Sequence, residues 1–222
     1  GAVVNFDLVI FDCDGVLVDS ERITAGVFCD MLGELGLTLT TDAMFETFVG
    51  QAMDRCLDII QDKLGRPAPE DFVPELRRRA GQALLEGVTP VDGVIGVLDQ
   101  LTVPCCVASA GEYAKMQLTL GKTGLWPRFE GRIFSADDVE HSKPAPDVYL
   151  LAARTMGVDP ARCAVIEDSA AGVMAGVAAG MTVFAYTADV PANRLRAAGA
   201  HHLFERMADL PALLGLESVT VA

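Results

Sequence analysis

A chain of 222 residues that is 51% hydrophobic has enough apolar material for one large domain or a core with a smaller insert, and its net charge of -14 at pH 7 argues against the Lys- and Arg-lined surfaces that bind nucleic acid or anionic membranes. Six cysteines occur without any C-x-x-C pair, and Cys13, Cys105, Cys106 and Cys163 fall inside apolar runs, so they read as buried thiols in a reducing compartment. No apolar run approaches the roughly 18 residues that span a bilayer, and no basic-then-apolar leader opens the chain, so the expected location is the cytoplasm.

The first element is a strand. Leu8 to Phe11 is continuously apolar, as a strand buried on both faces must be, and Gly15 supplies the turn after it. Asp12 and Asp14 therefore sit at the carboxyl end of that strand, where ligands bind in open parallel sheets. The pattern then becomes helical. Ile23, Val27, Phe28, Met31, Leu32 and Leu35 recur at helical spacing, with Ser20 as an expected amino-terminal cap and Gly36 as the stop. Two further stripes, Met53-Cys56-Leu57-Ile60-Leu64 and Phe72-Leu76-Ala80-Ala83-Leu84, predict two more helices, the second ending at Gly87. Arg77-Arg78-Arg79 point in different directions around that helix and read as a solvated face. Residues 17–87 carry no strand pattern.

From Val88 onward strands and helices alternate. Strands are expected at Pro104 to Ser109, Arg132 to Ser135, Cys163 to Glu167 and Thr182 to Ala185. Helices are expected at about Glu112 to Lys122, Pro146 to Met156, Ser169 to Ala179 and Met207 to Leu214. The fold class is α/β: a doubly wound, Rossmann-like parallel sheet made of residues 1–16 and 88–222, with an α-helical cap inserted at 17–87. Polar residues cluster where strands end or in the loops that follow them: Ser109 at the end of Cys105-Cys106-Val107-Ala108-Ser109, Lys143 in Ser142-Lys143-Pro144-Ala145-Pro146, and Glu167-Asp168-Ser169 after Ala164-Val165-Ile166.

Asp12-Cys13-Asp14-Gly15-Val16-Leu17-Val18-Asp19-Ser20 resembles the first motif of the haloacid dehalogenase-like hydrolase superfamily, in the form used by its phosphatases and phosphomutases. Ser109, Lys143 and Glu167-Asp168 resemble its other three motifs, in order and at fitting spacing. The resemblance implies that Asp12 is a nucleophile forming an aspartyl-phosphate and Asp14 a general acid/base. It implies that Ser109, with the backbone amides of Ala110 and Gly111, holds phosphate oxygens, and that Lys143 bridges nucleophile and phosphate. It further implies a magnesium ion held by Asp12, Asp168 and the main-chain carbonyl of Asp14, with Glu167 as an additional ligand or a supporting group. The chemistry agrees: a carboxylate and a phosphate repel each other, so cations must offset their charges. Lys143 is expected to keep Asp12 ionised by lowering its pKa.

The expected activity is magnesium-dependent hydrolysis of a small phosphorylated metabolite, a sugar or sugar-acid phosphate. Lys115-Met116-Gln117 and Ile166-Glu167-Asp168-Ser169 are similar to bacterial 6-phosphogluconate phosphatases. By the same resemblance the loop from Gly50 to Arg55 reaches the site, making Gln51 and Arg55 candidate substrate contacts. The alternative is a sugar phosphomutase of the β-phosphoglucomutase type. Against it, such relatives carry a His after the first motif and an Arg after the cap glycine, where this chain has Thr24 and Met53. Ala110 also stands where many relatives carry Asn. A haloacid dehalogenase is disfavoured by Asp14, and a receiver-like signalling module by the length of the chain and its insert. No nucleic-acid or membrane partner is expected.

Overall fold

The structure is a computed structural model that describes residues 6–48 and 53–216. Strands β1 (Leu8–Phe11), β2 (Cys105–Ser109), β3 (Ile133–Ser135), β4 (Cys163–Glu167), β5 (Thr182–Tyr186) and β6 (His202–Phe204) form one parallel sheet in the order β3-β2-β1-β4-β5-β6. The order runs outward in opposite directions from β1 and β4, so the chain's topological switch lies between those two strands. The two centre strands and β2 are buried on both faces, as their unbroken apolar runs require.

Helices cover both faces. On one, Leu8, Ile10, Cys106, Ala108 and Val165 pack with Val148, Tyr149 and Ala152 of a helix at Asp147–Met156 and with Val173 and Ala175 of a helix at Ala170–Ala178. On the other, Phe11 meets Phe129 edge to face with ring centroids 6.3 Å apart. The described helices in chain order are α1 (Glu21–Glu34), α2 (Thr41–Phe48), α3 (Met53–Leu64), α4 (Phe72–Gly87), α5 (Val94–Gln100), α6 (Tyr113–Lys122), α7 (Trp126–Phe129), α8 (Asp147–Met156), α9 (Ala170–Ala178), α10 (Ala192–Ala197) and α11 (Leu210–Leu213).

The described residues divide into two compact units. One comprises the chain up to Asp19 and from Thr89 onward; the other is Ser20–Val88. The break therefore falls three residues later than the expected 16/17 boundary and one later than 87/88. Backbone pairing is the reason: Asp19 N–H donates to Thr89 O at 2.9 Å, Val91 N–H donates to Leu17 O at 2.9 Å, and Val18 bridges both Asp14 and Pro90. Leu17 to Asp19 thus belong to the sheet-containing unit.

In the helical unit, α1 to α4 bury Phe28, Met31, Leu32, Phe48, Ile60, Phe72 and Leu76 in a core of its own. Phe28 lies edge-on to Phe48 and Phe72 at 5.0 and 5.9 Å. α1 ends as Gly36 predicts: Gly36 has φ +94°, and Leu37 N–H closes back on Leu32 O at 2.9 Å. Ser20 occupies the cap position of α1 but its side chain makes no capping bond there, because its backbone is already helical. Arg78 and Arg79 do lie at the surface of this unit, tied to Glu75, with Arg79 also reaching Glu34 at 2.7 Å.

Helix α9 lies against β4 and β5 at a glycine. A Cβ on Gly176 would stand 2.7 Å from Val183 Cγ2. Gly176→Ala should therefore destabilise the protein by about 1–3 kcal/mol through overpacking, although alanine is the better helix former. Urea denaturation measures this, and a stability gain would contradict the packing.

Candidate active site

Register brings the acids together. Phe11 of β1 pairs with Ile166 of β4, so the next residues, Asp12 and Glu167, emerge side by side at the switch point, and Asp12 N–H donates to Ile166 O at 3.0 Å. Carboxylate oxygens of Asp12, Glu167 and Asp168 lie within 4.8 Å of one another, and all three residues are buried. An all-oxygen, all-anionic donor set of this kind suits a hard divalent cation.

Lys143 is inserted among them. Its Nζ donates to Glu167 Oε1 at 2.6 Å, Asp12 Oδ1 at 3.0 Å and Ala108 O at 3.0 Å, so all three N–H groups meet protein acceptors. Burial by itself would pull the ammonium's pKa down, but the charges of Asp12 and Glu167 outweigh it and hold Lys143 protonated. Burial and the Glu167 charge push Asp12 up to about 7, with Lys143 pulling the other way. This corrects the expectation that Lys143 lowers Asp12 overall: desolvation and a second carboxylate together exceed one lysine.

Glu167 is anchored on every side. Besides Lys143, its Oε1 accepts from the Tyr149 hydroxyl; Oε2 accepts from Asp168 N–H at 3.2 Å and Ser169 Oγ at 3.4 Å. Gly172 makes the seat, since a Cβ there would come 2.0 Å from Glu167 Cδ. Ser169 also caps α9, its Oγ accepting from Gly172 N–H at 3.1 Å. Tyr149 is fully buried, and its ring lies under Lys143 Nζ at 4.8 Å. Burial and the neighbouring Glu167 and Asp12 charges hold its pKa far above the ordinary range, so it remains a donor. Sequence reasoning missed Tyr149: on a helix, a tyrosine among leucines and alanines carries only a core signal.

Asp14 stands apart from this cluster. Its Oδ2 pairs with Lys115 Nζ at 3.5 Å, a contact with no expected role in the sequence. The loop holding it coils around one carbonyl, with Val16, Leu17 and Val18 N–H all directed to Cys13 O, and Gly15 turns it at φ +81°. Ser109, buried at the end of β2, accepts Gly111 N–H on its Oγ at 2.9 Å. The Gly111 amide is thus spent inside the loop, which leaves the Ser109 hydroxyl hydrogen available to an incoming acceptor. Ser135 Oγ clamps the same loop by donating to Gly111 O at 2.7 Å. Ala110 is exposed between them. Arg55 is exposed on α3 of the helical unit, and Gln51 lies outside the described residues.

A pH test follows from Asp12. Its raised pKa favours the protonated form in the folded state, so the native chain binds more protons than the unfolded chain between about pH 4 and 7. Stability from this group is complete below about pH 4 and is lost as pH rises through about 7. A cation on the carboxylates relieves that loss, so magnesium should raise Tm more at pH 8 than at pH 5, relative to chelator. Equal shifts at both pH values would count against Asp12 as the group concerned.

Comparison with known proteins agrees with this geometry. The family model for haloacid dehalogenase-like hydrolases matches residues 6–180. The chain is 33% identical over 210 residues to a 6-phosphogluconate phosphatase of Escherichia coli, covering 94% of this chain and 95% of that one. A haloacid dehalogenase-like protein of Agrobacterium tumefaciens superposes with TM-score 0.89 at 38% identity, covering 95% and 98% of the two chains. A hydrolase of the same family from Deinococcus radiodurans, solved with bound phosphate and sodium, gives TM-score 0.86 at 35% identity, covering 97% and 99%. With its switch-point acids, its buried lysine and this length of matching sequence, the chain belongs to the haloacid dehalogenase-like hydrolase family.

Proposed function

We propose that this protein is a magnesium-dependent phosphatase that hydrolyses a small sugar or sugar-acid phosphate through an aspartyl-phosphate on Asp12. The observation that carries the reading is the pairing of Asp12 with a buried ammonium, with a second carboxylate two residues on in the same strand-end loop, paired with Lys115. The similarity to a 6-phosphogluconate phosphatase and to a relative solved with phosphate supports the substrate class.

Asp12 attacks phosphorus, the phosphorus–oxygen bond to the alcohol breaks, and Asp14 gives its proton to the departing oxygen. A water molecule then loses a proton to Asp14 as it attacks the same phosphorus, releasing inorganic phosphate and regenerating Asp12. Lys143 offsets the repulsion between Asp12 and the phosphoryl oxygens, and Ser109 donates its hydroxyl hydrogen to one of them. Asp12 and Asp168, with the Asp14 carbonyl, would hold the metal, and Glu167 stays with Lys143 and Tyr149 as their anchor. Once bound, the ion supplies positive charge that lets two anions approach. Thr24 favours hydrolysis over the mutase reaction: its hydroxyl is turned back onto Ser20 O and Glu21 O of its own helix, at 3.2 and 3.1 Å. Arg55 is the remaining cap candidate for a contact with the leaving group.

Asp12→Asn should abolish steady-state phosphate release, whereas Asp14→Asn should form aspartyl-phosphate from nitrophenyl phosphate and stall before hydrolysing it. Mass spectrometry of the quenched protein distinguishes them, and sustained turnover by Asp12→Asn would sink the covalent route.

Tyr149→Phe keeps the ring beneath Lys143 and removes the hydroxyl from Glu167. Loss of a hydrogen bond to a charged group that orients the lysine should cost about tenfold in kcat, equally for sugar phosphates and nitrophenyl phosphate, because Lys143 serves the phosphoryl side. A loss that depends on the leaving group would contradict that placement.

A further inference from the structure

We propose that Lys115 is a specificity-determining residue, whose ammonium recognises a second anionic group, carboxylate or phosphate, on the alcohol portion of the substrate. The inference rests on the phosphatase reading and deepens it. The two active-site lysines are built for different tasks. Lys143 keeps 4% of its side chain exposed and satisfies all three N–H groups on Asp12, Glu167 and Ala108, so its charge belongs to the nucleophile. Lys115 keeps 40% of its side chain exposed and sits 3.5 Å from Asp14 Oδ2, a separation of ion-pair type that leaves the ammonium able to turn toward another anion. Among the described residues no other acceptor holds it.

Position decides which part of the substrate it meets. A carboxyl that protonates the departing oxygen must face the alcohol, so a cation paired with that carboxyl lies within reach of the alcohol. Gly111 keeps the space beside Asp14 open: a Cβ there would stand 3.2 Å from Ser109 Oγ and 3.6 Å from Asp14 Oδ2, the oxygen that Lys115 faces. Lys115 reaches Asp14 Oδ2 from the first turn of α6. The chain carries a net charge of -14, and an alcohol bearing its own negative charge would be repelled by this cluster of acids without a local cation. A neutral sugar alcohol has no such need.

The test compares kcat/KM of the magnesium-loaded wild type, Lys115→Met and Lys115→Arg on 6-phosphogluconate, fructose 1,6-bisphosphate and glucose 6-phosphate. Lys115→Met should lower kcat/KM for the anionic-alcohol substrates at least tenfold more than for glucose 6-phosphate, mainly through KM, and Lys115→Arg should restore most of the difference. A selective loss on 6-phosphogluconate alone assigns a carboxylate, and one on the bisphosphate alone assigns a phosphate; either supports the proposal. Equal losses on all three substrates would mean that Lys115 acts through Asp14 and would overturn it, as would no loss at all. A wild type that releases phosphate from none of the three, nor from nitrophenyl phosphate, would overturn the phosphatase reading and this inference with it. Activity with unchanged selectivity in Lys115→Met would overturn the inference alone.

Discussion

One buried ammonium holds the site together. Asp12, Glu167 and Asp168 converge at the ends of neighbouring strands, where mutual repulsion and lost hydration both oppose ionisation. Lys143 offers that cluster a positive charge that touches two of the three acids, and Tyr149 and Gly172 fix the acid to which it is bound most closely. One cation does not balance three carboxylates, which is why Asp12 is held near neutrality and why a metal fits the arrangement. The site is therefore incomplete by charge although Lys143 and Glu167 are well hydrogen-bonded. A protein with a net charge of -14 cannot draw the missing positive charge from its general surface and must take it from an ion or arrange it residue by residue.

Much of this was legible from the chain because buried parallel strands write themselves as apolar runs, and their ends as polar interruptions. β1, β4 and the acids after them follow that rule closely, and so do β2 with Ser109. Elements at the margin were less readable. β6 is three residues long and includes two partly exposed positions, His202 and Leu203, so no run distinguishes it. Helices α2, α5 and α10 span eight residues or fewer, too short for a stripe to repeat.

The misreadings at the site have a common source. That Lys143 approaches Asp12 follows from motif resemblance, but the pKa that results depends on burial and on Glu167, and neither is a property of local sequence. The Gly111 amide closes the loop onto Ser109 Oγ, a contact that local sequence does not announce. Tyr149 lies on a helix whose pattern accounts for it without reference to chemistry, and Lys115 stands out in the sequence only through the resemblance of the stretch that holds it, not through its contact with Asp14.

The backbone ribbon joining residues 17–19 to 89–91 bears on how such a protein can be divided. Entry to and exit from the helical unit lie one hydrogen bond apart, 2.9 Å from Asp19 N to Thr89 O. All 69 residues of Ser20–Val88 are therefore a closed excursion whose ends the sheet unit already holds in register, so loop-closure entropy places little limit on what the excursion contains. A different helical insert, or a tight turn, meets the same pair of anchor points. Recombination at those points can exchange the insert without renegotiating the fold of the sheet-containing unit.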